Sequence, residues 1–251
     1  GLGDVYKRQQ QINYKKLMGK SFRILYVATE IKPFLNNTYV SEIVRKLPQA
    51  MQEKGVEIRI LVPKFGLINE RKNRLHEVVR LSGVNIPIGD DDKPLIIKVA
   101  SIPTAKLQVY FIDNEDYFKR KTIFNNKSGK FHSDNDERCL FFCKGVLETV
   151  IKLGWSPDII HCNDWMSSLI PLLIKTSYNE QHIFENSKCI FSIYDNSFKE
   201  KLDKKMAEKI IDEDINKDML KSLSTPDYNG LIKIASEYAD AVIKPSNIKN
   251  K

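Results

Sequence analysis

Glycine is missing where an α/β protein most often uses it. The stretch RILYVATEIKPFLNNTYVSEIVRKLPQ (residues 23–49) reads as a buried strand (Arg23–Ala28), a loop and an amphipathic helix from about Ser41. That first strand–loop–helix junction is where α/β folds hold phosphates, by bringing glycine backbone close to the ligand at a helix N-terminus. Here the loop Lys32-Pro33-Phe34-Leu35-Asn36-Asn37-Thr38-Tyr39 contains no glycine, so a glycine-rich phosphate cradle is excluded. Long apolar runs are lacking too: no segment approaches the roughly 18 residues a membrane span needs, and residues 1–20 have no apolar core of the kind a secretory signal carries. Cysteine is limited to Cys139, Cys143, Cys162 and Cys189, with no CxxC pair and no zinc spacing with His132 or His161. The expectation is four reduced cysteines in a cytoplasmic core and no metal.

Basic charge is in excess but not within the body of the chain. Of the formal +8, residues 1–20 supply +4 and residues 244–251 supply +3, which leaves +1 for everything between. A nucleic-acid groove needs its excess on the folded domain, so no nucleic-acid partner is expected.

What is present is a 42% hydrophobic, 251-residue chain in which strands alternate with helices. The opening GLGDVYKRQ looks foreign to the rest. Residues 1–20 are expected to be an artefactual or disordered extension, with Met18 as the native start, and residues 246–251 a tail. From Ser21 the pattern runs strand, helix Ser41–Lys54 with Ile43, Val44, Leu47, Ala50 and Met51 inward, then strand Glu57–Val62. Strands His76–Leu81 and Val84–Ile88, a turn at Gly89–Asp92, and a hairpin of Leu95–Ala100 with Leu107–Ile112 through Pro103 follow. Residues 119–135 read as a mobile polar loop. Helix Asp136–Leu153, strand Asp158–His161, helix Trp165–Thr176, strand Lys188–Tyr194, an exposed charged helix within Lys199–Lys221, helix Tyr228–Tyr238 and strand Ala241–Ile243 complete the order. This alternation predicts one α/β domain over 21–245 with a doubly wound, mostly parallel sheet. Ligands of such sheets lie at the C-terminal ends of strands. That singles out the Glu30–Glu42 loop, His161-Cys162-Asn163-Asp164-Trp165 and Tyr194-Asp195-Asn196.

The blocks ILYVATEIKPF, KLPQAM, VYFIDNEDYFKR, DNDERCLFFCKGVLE and WSPDIIHCNDWMSSLIPLLIK, in that order from Arg23 to Asp240, resemble the N-terminal domain of bacterial glycogen synthases and plant starch synthases. The resemblance implies a Rossmann-like domain, the N-terminal half of a GT-B glycosyltransferase. It further implies transfer of glucose from ADP-glucose to an α-1,4-glucan with retention, without a cofactor or metal. The family's Lys-Thr-Gly-Gly loop aligns with Asn36-Asn37-Thr38-Tyr39: Asn36 brings no ammonium charge and Tyr39 a bulky side chain. Glu42 retains an acidic residue one turn later. The family's His-x-His-Asp-Trp-His block is matched by His161, Asp164 and Trp165 only, and its Val-His-Asn block becomes Ile193-Tyr194-Asp195, without the histidine.

No catalytic residue is therefore assigned, and Asn36, Tyr39, Tyr194 and Asp195 stand as degenerate positions. Glu42, His161, Asp164 and Trp165 are substrate-binding candidates, each with a plain alternative. Glu42 favours a helix N-terminus, His161 suits a structural role, Asp164 caps a helix, and Trp165 packs in the core. The expectation is a domain impaired as an isolated chain. Its alternatives are a glucan- or partner-binding module, self-associating or not, with Phe34, Leu35, Tyr39 and Tyr194 as an exposed apolar face, or half of a split enzyme completed by a separately encoded C-terminal domain.

Overall fold

In the computed structural model, residues 21–244 are described. The expected N-terminal extension and tail lie outside the described residues. Nine strands are present among the described residues: β1 (Arg23–Val27), β2 (Glu57–Pro63), β3 (His76–Glu77), β4 (Val84–Ile88), β5 (Asp91–Ile102), β6 (Leu107–Asp113), β7 (Ile159–Asn163), β8 (Lys188–Ser192) and β9 (Ala241–Ile243). They form one sheet in the order β3-β5-β6-β2-β1-β7-β8-β9, with β4 paired to β5. From β6 to β9 all neighbours are parallel, while β3, β4 and β6 pair with β5 antiparallel.

The chain leaves β1 toward β2 and β6, then returns to lay β7, β8 and β9 on the other side of β1. The order therefore reverses between β1 and β7, and a crevice opens at their C-terminal ends. Parallel strands are covered on both faces, which is why β1, β2 and β7 read as continuous apolar runs: Leu25, Val27, Ile60, Leu61, Ile160 and Cys162 are wholly buried.

The main helices are α1 (Val40–Glu53), α2 (Asn135–Leu153), α3 (Ile170–Lys175) and α4 (Tyr228–Tyr238). In α1 the buried positions are Val40, Ser41, Val44 and Pro48. Leu47 and Ala50, expected inward, face solvent because Pro48 takes the neighbouring core position. Helix α2 is buried nearly all round, since strands β4, β5 and β6 cover one side and the segments Trp165–Ser167, Ile170–Lys175 and Met206–Ile210 also pack on it. A Cβ on Gly145 would lie 3.0–3.1 Å from Ile112 and Leu95, so this glycine sets how closely α2 approaches the sheet.

Five segments differ from expectation. The strand beginning at His76 ends at Glu77, and Asp91 and Asp92, read as turn, already pair with Ile88 and Pro87 in the ladder. Residues 119–135 do not form a free loop. Asn125 bridges Phe131, Arg120 pairs with Asp134, and Gly66 packs so closely that a Cβ there would reach 2.3 Å from the Lys119 carbonyl oxygen. The helix expected over Trp165–Thr176 is split into a 3-10 turn, Trp165–Ser167, and α3. Pro171 has no N–H to donate and fits only the first turn of a helix, so α3 starts beside it. The segment Lys199–Lys221 is not one helix, and although most of its residues are exposed it is anchored by buried ones. It breaks into the turn Met206–Ile210 and the 3-10 stretch Lys217–Leu223, and buries Leu202, Met206, Ile210, Ile215 and Leu220. Leu202, Met206 and Ile210 recur every fourth residue, but Ile215 and Leu220 leave that register, so the apolar stripe does not continue as one helix.

Candidate functional site

At the β1/β7 switch point the chain turns sharply after both strands. Beyond β7, Asp164 adopts φ 74° and ψ 163°, a conformation that non-glycine residues rarely take. It is held there by its own hydrogen bonds. Its carboxylate accepts from the Trp165 amide (2.5 Å), the Thr29 hydroxyl (3.1 Å) and Asn196 Nδ2 (2.7 Å), and its carbonyl accepts from the Ser167 hydroxyl (2.7 Å). Asn163 ties three strand ends together: Nδ2 donates to the carbonyls of Val27 and His161, and Oδ1 accepts from the Tyr194 hydroxyl at 2.7 Å.

Beyond β1, the Glu30 carboxylate accepts from the amides of Asn37 (2.8 Å) and Thr38 (2.6 Å) and from the Thr38 hydroxyl. These turns border a cleft of about 500 Å³. Its floor is polar, with Thr29, Glu30 and Asp164, and its walls are aromatic. Trp165 lies 4.8 Å from Phe124 and 5.0 Å from Phe198, centroid to centroid, and Phe131 stacks on Phe198 at 5.1 Å. Lys121 is the one basic residue among the described residues that line it. Aromatic walls with hydrogen-bonding groups at the base suit a neutral, hydroxyl-bearing ligand better than an anion.

Of the eight residues singled out from the sequence, the structure brings Asp164 and Trp165 to this cleft. His161 lies beneath it, buried, with Nε2 2.7 Å from the Ser192 hydroxyl. Asn36 faces away and accepts from the Ser41 hydroxyl through Oδ1. Tyr39 is 53% exposed, on a separate shallow groove along α1 that it shares with Glu42. Glu42 pairs with Lys32 at 2.5 Å and Lys46 at 3.5 Å, and the Lys32 hydrogen bond draws its carboxyl below the usual range. Asp195 is exposed. The apolar face expected from Phe34, Leu35, Tyr39 and Tyr194 does not form: Phe34 packs edge-on against Phe111, Leu35 is buried, and Tyr194 is buried with its hydroxyl on Asn163.

Sequence reasoning passed over Phe124, Phe131 and Phe198. The available signal was two aromatics within the polar stretch 119–135, where a solvated loop has no use for them.

Burial shifts two neighbouring groups in opposite directions. Asp164 is pushed from 3.8 up to about 6, and His161 from 6.5 down to about 4. For Asp164 the folded state prefers the proton, so stability declines as pH rises from about 4 to about 6. For His161 the folded state prefers the neutral ring, so stability present above about 6.5 is lost as pH falls toward 4. At 1.36 kcal/mol per unit, each group contributes about 3 kcal/mol, and over this window the two slopes oppose one another. Urea midpoints at several pH values are expected to fall more steeply on acidification in Asp164→Asn than in the native chain, and less steeply in His161→Asn. Three parallel pH profiles would refute this assignment.

The sheet order and the crevice at its switch point define a doubly wound α/β domain with a ligand cleft at the strand C-termini. The chain belongs to the starch synthase catalytic domain family, whose model matches residues 23–248. It is 41% identical over 198 residues to a glycogen synthase of Chlorobium luteolum, covering 78% of this chain and 40% of the relative. Against a glycogen synthase of Chlorobium limicola it is 36% identical over 230 residues, or 91% and 46% of the two chains. The solved catalytic domain of starch synthase IV from Arabidopsis thaliana, bound to ADP and acarbose, shares the fold. It gives a TM-score of 0.72 at 19% identity, over 89% of this chain and 44% of that one. The chain thus spans less than half the length of these relatives, and its Rossmann-like sheet corresponds to part of their GT-B fold.

Proposed function

We propose that residues 21–244 are the first domain of an ADP-glucose:α-1,4-glucan glucosyltransferase, that the aromatic cleft receives a glucan end, and that this chain by itself does not turn over. The observation that carries the reading is the aromatic-walled cleft, with hydrogen-bonding groups at its base, at the β1/β7 switch point of a chain that matches the family over residues 23–248. Phe124, Phe131 and Phe198, backed by the buried Trp165, offer faces to a sugar ring, and Asn196, Asp164 and Thr29 offer hydrogen bonds to its hydroxyls. Retaining transfer also needs the leaving diphosphate stabilised as charge develops on it. Removing one such electrostatic donor typically slows a reaction by about 10²–10³. Here Asn36 stands in place of the loop lysine and Tyr194 in place of the histidine, and Tyr194 is committed to Asn163.

A second domain, encoded in the same gene or separately, is the proposed partner that supplies the nucleotide site. The cytoplasm is the proposed compartment, in keeping with four buried free cysteines. The test is incubation of the purified chain with labelled ADP-glucose and glycogen. No incorporation above a heat-killed control is expected; label entering glycogen would overturn the claim of inactivity. Co-sedimentation with glycogen checks the cleft assignment, which fails if Trp165→Phe and the native chain are both indifferent to glycogen.

A further inference from the structure

At the entry to α1, most of the amides that would greet a phosphate, those of Asn37, Thr38 and residues 40–43, are already taken by the chain itself. Asn37 and Thr38 donate their N–H groups to the Glu30 carboxylate, and the Thr38 hydroxyl binds the same group. The Val40 amide donates to Thr38 Oγ1, the Ser41 amide to the Thr38 carbonyl, and the amides of Glu42 and Ile43 to the Tyr39 carbonyl. Glu30 is 3% exposed and forms no salt bridge among the described residues. A buried carboxylate without a cation persists only where several donors converge on it, and converging amides at a helix entry are an anion cradle.

We propose that Glu30 is the positioning residue of the cleft: its carboxylate fills the amide cradle of Asn37 and Thr38, closing the first strand–helix junction to phosphate and fixing the loop that borders the cleft. This also accounts for the loop's lack of glycine. A glycine is needed where backbone must approach an external ligand; an internal carboxylate on a flexible side chain reaches the amides of ordinary residues. Among the described non-glycine residues only Arg74, Lys106 and Asp164 have positive φ, so nothing in 36–39 requires the left-handed region. A diphosphate used by the longer protein must then be held by groups elsewhere.

The test is a titration of the native chain and of Glu30→Ala with inorganic pyrophosphate, read at the backbone amide resonances of Asn37 and Thr38 against a chloride control of equal ionic strength. In the native chain both resonances are expected to stay in place, and in Glu30→Ala both are expected to shift saturably. A saturable shift in the native chain, or a folded Glu30→Ala whose two amides ignore pyrophosphate, overturns the proposal. Should Glu30→Ala not fold, Glu30→Gln presents a neutral amide to the same donors. Hydrogen exchange at Asn37 and Thr38 is then expected to accelerate by about tenfold or more while β1 amides keep their protection; unchanged exchange overturns it. None of these outcomes depends on turnover or glycogen binding, so failure here leaves the glucosyltransferase reading to its own test.

Discussion

Replacing Lys209 by methionine is expected to lower stability by about 3–5 kcal/mol, the range for removing one partner from a buried ionic cluster. The Lys209 ammonium lies 2.8 Å from Asp136, 2.7 Å from Glu137 and 3.2 Å from Asp203. It is the point at which the polar segment after residue 199 is fastened to α2. Asp136 is wholly buried and its Oδ1 has no partner, so without the ammonium its charge would have nothing to offset desolvation. Glu137 also accepts from the Tyr117 hydroxyl at 2.9 Å, so the loss would spread toward the 115–118 turn. Burial already raises the Asp136 carboxyl above its usual range, while the carboxylates raise the Lys209 ammonium. In the variant, protonation of Asp136 relieves the unpaired charge, so the deficit should shrink as pH falls toward the carboxylate range. At 2–4 °C per kcal/mol for a chain of this size, the melting temperature should drop by about 6–20 °C at neutral pH. Lys209→Arg should recover most of it. A melting temperature for Lys209→Met equal to that of the native chain would show that the cluster does not hold the segment.

Trp165→Ala is expected to be comparably damaging, at about 3–5 kcal/mol, the range for truncating a large buried aromatic. Trp165 is 2% exposed and heads the largest fully buried side chains. It fills the space between Phe124, on the 119–135 segment, and Phe198, after β8. Truncation would remove contacts from both at once, leaving Phe124 packed on Phe65 and Phe198 on Phe131 and Tyr228 across an unfilled space. Trp165→Phe keeps an aromatic ring in place and should cost less than about 1.5 kcal/mol if the neighbours repack. Urea denaturation of the two variants checks the ordering. If Trp165→Ala unfolds at the native midpoint, the ring is not part of the core and its role would have to lie wholly in the cleft. The packing and cleft roles are otherwise the same role, because one edge of the ring supports the wall that the other presents.

How much of this was legible in advance depended on whether a feature is periodic. β1, α1, β2, α2, β7 and α4 announce themselves through apolar spacing, caps and stops, such as Asp227 accepting from the Gly230 amide at the start of α4 and Gly154 at the left-handed end of α2. Five blocks in order then carried the family. The break at Pro171 was also readable and was passed over. The order of strands, by contrast, places β7 against β1 across more than 130 residues of chain, and only that pairing puts Thr29 within reach of Asp164.

The sequence by itself determined the α/β class, the family and the departures at Asn36, Tyr39 and Tyr194, since these depend on residue identity and local spacing. Tertiary structure alone decided what those departures do. Asn36 and Tyr39 turn away from the cleft, Tyr194 is spent on Asn163, and the cleft is walled by Phe124, Phe131 and Phe198 from segments with no periodic signal. Tertiary structure also decided how the glycine-free loop after β1 is satisfied. Its amides find their acceptor in Glu30, eight residues back from Thr38, because the turn after β1 folds that carboxylate inward. Hydrogen-bond partners are fixed by where backbone comes to lie in space, and composition carries no record of that.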